Sequence, residues 1–537
     1  MALPDDHATI SKLLDIVANA ASSRFDPTPD ERQTLPKRPF SSSAHTELQQ
    51  HQQLLSETGA GLESTVKDLV DQIGPSLSNS AGPRYFGLVT GGVTPAAFVA
   101  DWVVTMYDQN AILHSESEVS GYSVITEQAM SMVLDLFGLP REVGPRAPIT
   151  TSPIETTIVA DQNRQEDALF RAMTTSGSTA SNVVGMAVGR QWLGLYERGV
   201  DYGQDGYDGQ VVVLTNMAHA SVWKAASILG IGRKQVVEIP DMGMSTDTGG
   251  EQKEMVLEEM VKKYKTQGKA VMVFLAFGEV NTGIFPKNTR RIAEICKKYN
   301  AYFHIDGAFG IYARCSPKYA HLAEGLELAH SITACGHKWL NVPYDCGMFL
   351  YRRSLEKSIM EPLFSSSAAY LRPSDTPYSH PMNISIENSQ RFRALPVWAT
   401  LRAYGREGYK RIVEENCRFA KTMYDWMKHT RPDLYTVLTE ECPLNIVVFA
   451  QTDDQAVNQE GQGRDTDTKE AMAERMKILE KRNADLLKRI NRTGVAYFSP
   501  TVWGGRPAIR SAISNWKTTV ELDWEPVRAM LEEQGSI

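Results

Sequence analysis

The chain has 537 residues, 42% hydrophobic and 22% charged, the composition of a folded protein with two or three domains and a large core. Its formal net charge of −8, without a stripe of Lys and Arg, argues against nucleic acid as the main partner. No apolar stretch reaches about 18 residues, so no membrane-spanning helix is predicted.

The N-terminus and the cysteines indicate the compartment. The first six residues lack the basic and apolar regions of a signal peptide. The six cysteines show no CxxC spacing, so free thiols are expected rather than disulfides or a zinc site. We therefore expect a cytoplasmic protein without a bound metal.

Residues 1–85 contain two amphipathic helical stretches, Ile10 to Ala21 and Leu62 to Ile73. A polar segment that includes Pro27 and Pro29 separates them. Such helices cannot bury an apolar face alone, so this N-terminal segment needs another surface to pack against.

Residues 86–395 alternate short apolar runs with helix-length segments such as Glu251 to Lys265 and Thr289 to Tyr299. The predicted strands are Val211–Leu214, Val236–Ile239, Val271–Leu275, Tyr302–Ile305, Ile332–Ala334 and Met348–Tyr351. This alternation predicts an α/β domain with a mainly parallel, doubly wound sheet. Its ligand is expected at the carboxyl ends of the strands.

Residues 396–537 are typical of a smaller α+β domain. A long helix to about His429 and a second from Lys469 to Ile490 accompany three predicted strands. Those strands are Leu444–Phe449, Ala496–Ser499 and Ala508–Ser514. The polar run from Gln451 to Thr468 is predicted to be an exposed flexible loop.

Two short motifs carry the chemistry. The apolar run from Ala301 ends in the carboxylate of Asp306, and Lys338 lies between a histidine and a tryptophan 32 residues later. Either motif alone is more typical of a turn or a surface. Together they supply a lysine that can form a Schiff base with an aldehyde cofactor and an aspartate that can keep a pyridine nitrogen protonated. This pair indicates pyridoxal phosphate.

From about Pro83 to Thr519 the sequence resembles the group II pyridoxal-dependent amino-acid decarboxylases, which include aromatic amino-acid decarboxylase and glutamate decarboxylase. Besides the two motifs above, the resemblance rests on Arg84–Gly87, Thr175–Asn182, Ala218–Ser221 and Arg391–Leu395. It implies fold type I, pyridoxal phosphate as cofactor, and a homodimer in which residues 1–85 pack on the partner subunit. The implied activity is that of a carbon–carbon lyase of amino-acid metabolism.

The phosphate group is expected on Ser176, Gly177, Ser178 and Thr179, just before a helical stretch from Asn182 to Gln191. Small residues let backbone amides approach a phosphate, and a helix N-terminus favours its charge. The resemblance adds cofactor contacts from Ala308 and His337. Where the family has a polar residue three positions before the lysine, this chain has Cys335, whose thiol is a poor phosphate donor.

His219 precedes a helical segment from Ala220 to Leu229, and taken alone it is a helix-capping residue. The resemblance implies that it stacks on the pyridine ring and orients the substrate carboxylate. Glu279 stands where some family members have threonine near the phenolic oxygen of the ring, and its role stays open.

Tyr370 lies in a loop-like stretch, Ser365 to Pro373, that is rich in small residues. The residues alone fit a loop anchor equally well. The resemblance implies the family's mobile catalytic loop, whose tyrosine protonates the substrate carbon after carbon dioxide leaves. This tyrosine argues against an oxygen-consuming aldehyde synthase, because that activity is associated with loss of the hydroxyl.

Arg510 lies on a predicted strand of the small domain, where the resemblance implies an arginine near the substrate carboxylate, and a guanidinium can bind a carboxylate through two hydrogen bonds. Tyr85 and Phe86 either line the side-chain pocket or belong to the core, and Arg393 is expected in structural ion pairs. No second cation is evident in the motifs, so we predict an aromatic amino-acid substrate. His114 is a further candidate for the pocket, contributed across subunits. The alternatives are an aliphatic or acidic substrate, a related lyase or aldehyde synthase, and an inactive scaffold protein.

Overall fold

The computed structural model describes residues 7–23, 25, 28, 32–36, 59–109, 120–142, 168–240, 250–365, 380–452 and 469–537. The predicted loop from Gln451 to Thr468 falls largely outside these ranges. None of the helices in the described residues combines the length and apolar character needed to cross a membrane.

The helices that position the site are numbered in chain order. They are α1 (His7–Ser23), α2 (Leu62–Asp68), α3 (Pro95–Tyr107), α4 (Tyr122–Leu136), α5 (Ser178–Leu193), α6 (Ser221–Ile228), α7 (Gly250–Thr266), α8 (Thr289–Lys298), α9 (Glu361–Phe364), α10 (Pro381–Ile384), α11 (Ala394–Asp425), α12 (Lys469–Arg492) and α13 (Glu525–Gly535). Wider π-type turns extend α2, α5 and α11 at their C-terminal ends, through Ile73, Arg198 and Thr430.

A seven-stranded sheet forms the large domain. Its strands are β1 (Phe170–Thr175), β2 (Val211–Asn216), β3 (Val236–Glu238), β4 (Ala270–Ala276), β5 (Tyr302–Asp306), β6 (Ser331–Cys335) and β7 (Gly347–Arg352). Their order is β1-β7-β6-β5-β4-β2-β3. Strand β7 runs opposite to the other six strands, which all run in one direction. The expected mainly parallel sheet is confirmed, and β1 is a strand that the sequence did not predict.

The sheet separates two hydrophobic cores. Val212 and Leu214 of β2 point into one core, whereas Val211 and Val213 point into the other. Every residue of β2, β4, β5 and β6 is buried. Strands buried on both faces are typical of doubly wound folds, because helices cover both sides of the sheet.

A four-stranded antiparallel sheet forms the small domain. Its strands are β8 (Tyr435–Val437), β9 (Ile446–Gln451), β10 (Ser499–Trp503) and β11 (Arg506–Ala512), in the order β10-β11-β9-β8. The predicted strand at Ala496–Ser499 therefore begins and ends later than expected, and β8 was not predicted. Residues from α11, α12 and α13 complete the core of this domain.

Helix α11 connects the two domains. Val397 and Val413 belong to the core of the large domain, whereas Phe419 and Met423 belong to the core of the small domain. The helix is broken at Gly405, whose φ of 58° suits glycine. One helix therefore contributes to both cores and holds the domains side by side.

The N-terminal helices have the predicted amphipathic character, but much of their apolar face is uncovered in the chain. Leu14 of α1 and Leu69 of the turn after α2 are 61% and 49% exposed, and α2 buries none of its residues. Trp102 and Met106 of α3 are also exposed. The exposed apolar side chains of α1, of the turn after α2 and of α3 are together called the N-terminal apolar face.

His304 in β5 and His330, which directly precedes β6, predict a loss of stability in acid. Burial lowers the pKa of His304 to about 3, and burial and the charge of Arg352 lower that of His330 to about 4. Below about pH 6.5 the unfolded chain therefore binds protons that the folded chain does not. The free energy of unfolding should fall on acidification by up to about 1.4 kcal/mol per pH unit for each histidine.

Urea unfolding measured from pH 7 to pH 4.5 tests this expectation. His304→Gln should reduce the pH dependence of the unfolding midpoint, whereas His429→Gln, at an exposed position, should leave it unchanged. An equal pH dependence in all three proteins would contradict the assignment.

Candidate active site

Asp306 is the last residue of β5 and is 8% exposed. Its Oδ1 accepts a hydrogen bond from the backbone N–H of Ala308 at 3.1 Å, and its Oδ2 accepts one from Nδ2 of Asn182 at 2.8 Å. The carboxylate is thus fixed at the carboxyl edge of the parallel sheet, where a ligand was expected.

A chain of hydrogen bonds connects Asp306 to His219. Asn182, on α5, also donates from Nδ2 to Oγ of Ser221 at 3.0 Å. The Oγ of Ser221 lies 2.8 Å from Nδ1 of His219, and the backbone N–H of Ser221 lies 3.2 Å from the same nitrogen. His219 therefore does more than cap α6, because its ring is tied to a buried carboxylate through two side chains.

The electrostatic surroundings keep His219 neutral. Burial lowers its pKa, the positive charge of Lys338 lowers it further, and Arg510 acts in the same direction. The carboxylate of Asp306 opposes these effects. The three charged residues named from the sequence are therefore close enough to His219 to influence its ionisation.

Lys338 lies in the turn between β6 and β7. The following residue, Trp339, is fully buried and donates from Nε1 to Oδ1 of Asn416 at 2.8 Å. This contact anchors the turn, and Nζ of Lys338 extends over the ring of Phe309 at 5.8 Å. Gly91 also touches the turn, because a Cβ there would lie 1.8 Å from the carbonyl oxygen of Lys338.

Helix α5 begins at Ser178, directly after the extended residue Gly177. A Cβ on Gly347 would lie 2.3 Å from the carbonyl carbon of Gly177, so β7 approaches this turn more closely than a side chain allows. The first N–H groups of a helix have no partner within the helix and favour an anion. Ser176 and Thr179 flank this helix N-terminus.

Cys335 and His337 lie just before Lys338 in the chain and contact each other. The thiol of Cys335 is buried, which raises its pKa, and it lies 3.2 Å from Nε2 of His337. The ring of His337 stacks on Tyr344 at 4.2 Å, and burial, with a smaller effect from Lys338, lowers its pKa to about 4. His337 is therefore a neutral packing and hydrogen-bonding residue at neutral pH.

A cavity of about 740 Å³ lies between these elements. Its lining combines the polar residues named above with apolar side chains: Leu88, Val89, Ser178, Met217, Ala218, His219, Ala220, Glu238, Glu279, Val280, Asn281, Lys338, Val502, Trp503, Gly504 and Arg510. Its volume is within the range of small-molecule and cofactor sites.

Arg510 and Glu279 are buried in the cavity wall. Arg510 donates from Nη1 to the carbonyl of Val280 at 3.1 Å, and its buried Nε has no hydrogen-bond partner among the described residues. Burial lowers the pKa of Arg510, an effect that Glu279 opposes. Because Nε of Arg510 has no partner among the described residues, the guanidinium can still bind an anion.

Glu279, whose role the sequence left open, is held by its own turn. Its carboxylate accepts hydrogen bonds from the backbone and side chain of Asn281 and from the backbone and side chain of Thr282, at 2.8–2.9 Å. Burial raises its pKa, and these hydrogen bonds act in the opposite direction. It contributes a fixed carboxylate to the wall.

These residues fit pyridoxal phosphate. Lys338 provides an amine and His219 a neutral ring in the lining of one cavity, and Asp306 provides a buried carboxylate that hydrogen bonds connect to His219. The α5 N-terminus provides a site for phosphate, and the close contact of Gly347 with Gly177 keeps that site clear of side chains. Asn182 Oδ1 and Arg510 Nε are buried without partners among the described residues, which is costly unless a ligand supplies one.

The structure separates other predicted residues from the cavity. Phe86 is 1% exposed and packs on Phe419 and Phe498 in the small-domain core. Of the two roles that the sequence left open for Phe86, pocket or core, the structure shows the core. Tyr85 stacks on Tyr497 at 4.6 Å and is not among the lining residues.

Arg393 forms ion pairs with Asp345 and Glu387 at 2.9 and 2.8 Å, as expected. Tyr370 and His114 lie outside the described residues.

Asn182, Ser221 and Trp503 are site residues that sequence reasoning gave no role. Asn182 and Ser221 belong to quoted motifs, but nothing in the sequence indicated that they touch each other across 39 positions. A buried asparagine next to a buried carboxylate could only be identified once α5 was seen to pack beside β5.

The comparisons with known proteins agree on a single family. A family model described as the pyridoxal-dependent decarboxylase conserved domain matches residues 45–451. An aromatic-L-amino-acid decarboxylase of Bacillus atrophaeus is 26% identical over 350 residues, covering 64% of this chain and 65% of the relative. An L-2,4-diaminobutyrate decarboxylase of Acinetobacter baumannii is 29% identical over 275 residues.

That second alignment covers 48% of this chain and 51% of the relative. The chain thus spans slightly under two thirds of the first relative and about half of the second. Among solved structures, Oryza sativa TDC with PLP and tryptamine superposes with a TM-score of 0.76 at 19% identity, covering 99% of both chains. This likeness shows the fold.

The contact between Gly347 and Gly177 predicts the effect of a single methyl group. Gly347→Ala should displace the turn before α5 and weaken pyridoxal phosphate binding by roughly tenfold or more, because the added Cβ meets backbone that cannot move freely. Gly121→Ala is the control, since a Cβ there has no neighbour within 4 Å. Cofactor titration by absorbance should show normal affinity for the control alone, and equal affinities would contradict the prediction.

Proposed function

The chain belongs to the pyridoxal-dependent decarboxylase family, and from this premise we propose that it is a pyridoxal-phosphate-dependent L-amino-acid decarboxylase that releases carbon dioxide and an amine. The observation that carries the proposal is that His219 and Lys338 line one cavity, while the buried carboxylate of Asp306 is joined to His219 by hydrogen bonds through Asn182 and Ser221.

When bound, pyridoxal phosphate supplies an aldehyde for the amino group and a ring that accepts the electron pair left by the departing carboxylate. Asp306 keeps a negative charge at the ring nitrogen, and such a charge-assisted hydrogen bond contributes about 1.5–3 kcal/mol. Lys338 provides the amine that holds the aldehyde before the substrate arrives. The Ser176–Thr179 turn binds the phosphate.

His219 and Arg510 orient the amino acid. Because Lys338 is assigned to the cofactor, Arg510 is the cation of the cavity wall that remains for the substrate. Its Nε and remaining N–H groups suit a carboxylate. His219, which lines the cavity, would lie against the cofactor ring and would offer a neutral N–H to the substrate. Orientation decides which bond at Cα breaks, because only a bond aligned with the ring electrons is weakened.

Tyr370 is the proposed general acid at Cα. Its support is the sequence, where it follows Lys338 by 32 positions in a stretch of small residues. A phenol that delivers a proton to the carbon completes amine formation and disfavours reaction with oxygen. This role argues for a decarboxylase rather than an aldehyde synthase.

We propose an aromatic amino acid as the substrate. Leu88, Met217, Val502 and Trp503 give the cavity an apolar side that gains from burying an aromatic ring. Lys338 and Arg510 are the cationic residues of the lining within the described part of the chain, and the first is committed to the cofactor. The guanidinium of Arg510 can pair with the α-carboxylate of the substrate. A second carboxylate, on an acidic side chain, would then be buried without a cation at a cost of several kcal/mol.

A diamino acid is the second candidate. Glu238, at the exposed edge of the cavity, and Glu279 in its wall supply negative charge that suits a cationic side chain. The matched L-2,4-diaminobutyrate decarboxylase is named for such a substrate. Glu238→Gln separates the two candidates, because it should weaken turnover of a diamino acid and spare that of an aromatic one.

A homodimer and a cytoplasmic location complete the proposal. The N-terminal apolar face is exposed in one chain, and a second subunit would bury it. All six cysteines are free thiols, five of them buried, as suits a reducing compartment.

Lys338→Ala tests the proposed function. Removing this amine should abolish both turnover and the visible absorption band that borohydride removes from the parent protein. Lys224→Ala, at an exposed position of α6, is the matched control and should retain both. A borohydride-reducible adduct on another lysine of Lys338→Ala would show that Lys338 is not the lysine that binds the cofactor. A parent protein without the absorption band would contradict the proposed enzyme and favour a scaffold protein.

Competition among amino acids tests the substrate. We expect kcat/KM to be higher for tryptophan, tyrosine or phenylalanine than for glutamate and aspartate, because the wall carries apolar surface and two carboxylates. Release of carbon dioxide from equimolar mixtures measures the ratio. A preference for either acidic amino acid over all aromatic ones would refute the assignment.

A further inference from the structure

The hydrogen bonds around His219 determine where its proton is. The backbone N–H of Ser221 can only donate, and it points at Nδ1 of His219 from 3.2 Å. A nitrogen that accepts this bond carries no proton. In a neutral imidazole the single proton is then on Nε2.

A second, independent constraint comes from Asn182. Its Nδ2 lies 2.8 Å from Oδ2 of the Asp306 carboxylate, which accepts only, so the amide cannot be turned over. The same Nδ2 donates its other proton to Oγ of Ser221. Because Oγ of Ser221 accepts this hydrogen bond from Asn182, the hydroxyl can donate its own proton to Nδ1 of His219, which is 2.8 Å away. Both donors reach the same nitrogen.

The far side of the ring is directed to the cavity. His219 is a lining residue, and Nε2 has no hydrogen-bond partner among the described residues. Asn182 and Ser221 are 0% and 4% exposed, so their mutual hydrogen bond and the bond from Asn182 to Asp306 are shielded from water, whereas His219 is exposed. An N–H is therefore presented to whatever anionic group enters beside Arg510.

We propose that Asn182 and Ser221 are positioning residues that transmit the fixed orientation of Asp306 to His219 and hold it as the Nε2–H tautomer, a hydrogen-bond donor to the substrate carboxylate. The catalytic consequence rests on the proposed function. The tautomer itself does not, because it is set by side chains of the resting protein.

Nitrogen NMR of the histidine-labelled holoenzyme reads the tautomer directly, with His219→Gln used to assign the ring. The parent should show an unprotonated Nδ1 and a protonated Nε2. Ser221→Ala removes one of two donors to Nδ1 and should raise the share of the Nδ1–H form about fivefold. Ser221→Thr, which keeps the hydroxyl, should restore the parent ratio, and Ser227→Ala, at an exposed position of the same helix, should not change it.

The pH profile gives a second readout. Loss of a donor to the unprotonated nitrogen favours protonation, so the acid limb of kcat/KM should move to higher pH in Ser221→Ala. Lys338, Arg510 and Asp306, the charged groups that influence His219, are unchanged in this variant. A purely structural defect would lower activity equally at every pH.

Asn182→Leu should act in the same direction as Ser221→Ala, because the hydroxyl of Ser221 is then free to turn away. A proton on Nδ1 in the parent, or a tautomer ratio in Ser221→Ala equal to that in Ser227→Ala, would overturn the proposal. If the tautomer is as proposed but no amino acid is decarboxylated, the proposed function fails and this inference stands.

Discussion

The carboxylate of Asp306 is held out of water at the end of a strand that is buried at every position, and the site is built around that charge. A buried charge without partners costs several kcal/mol. The structure meets this cost with the backbone N–H of Ala308 and the side-chain amide of Asn182. Each of these residues is thereby fixed in place, so a requirement of stability also sets the geometry of the site.

Close backbone contacts provide the second constraint. Gly347 brings β7 against Gly177, and Gly91 brings another segment against the carbonyl of Lys338. A methyl group at either glycine would force the two segments apart, which would move the N-terminus of α5 or the lysine turn. Main-chain contacts therefore position the proposed phosphate site and Lys338.

In the proposed function, the charges of the wall suit one substrate carboxylate and disfavour a second. Arg510 is compensated in part by Glu279, whose own oxygens are occupied by Asn281 and Thr282. This carboxylate cannot turn to neutralise the guanidinium completely, and the buried Nε remains available. Apolar residues such as Trp503 occupy the rest of the wall. Selectivity then follows from the cost of an unpaired charge rather than from a large number of contacts.

The sequence by itself determined the sheet and the chemical groups. Runs such as Val271–Leu275 and Tyr302–Ile305 predict buried parallel strands because every position is apolar or aromatic, and Asp306 and Lys338 are residue types that pyridoxal phosphate requires. Strand β1 escaped prediction because it contains Arg171, which is buried and forms an ion pair with Glu356, 185 positions away.

The tertiary structure decided which side chains share the cavity. Phe86 and Arg510 are both candidate pocket residues in the sequence, yet one lies in the small-domain core and the other in the cavity wall. The contacts of Asn182 with Ser221 and Asp306 join residues 39 and 124 positions apart. Local periodicity carries no information about such contacts, because they arise only when separate helices and strands pack together and bring the ends of several strands to one edge of the sheet.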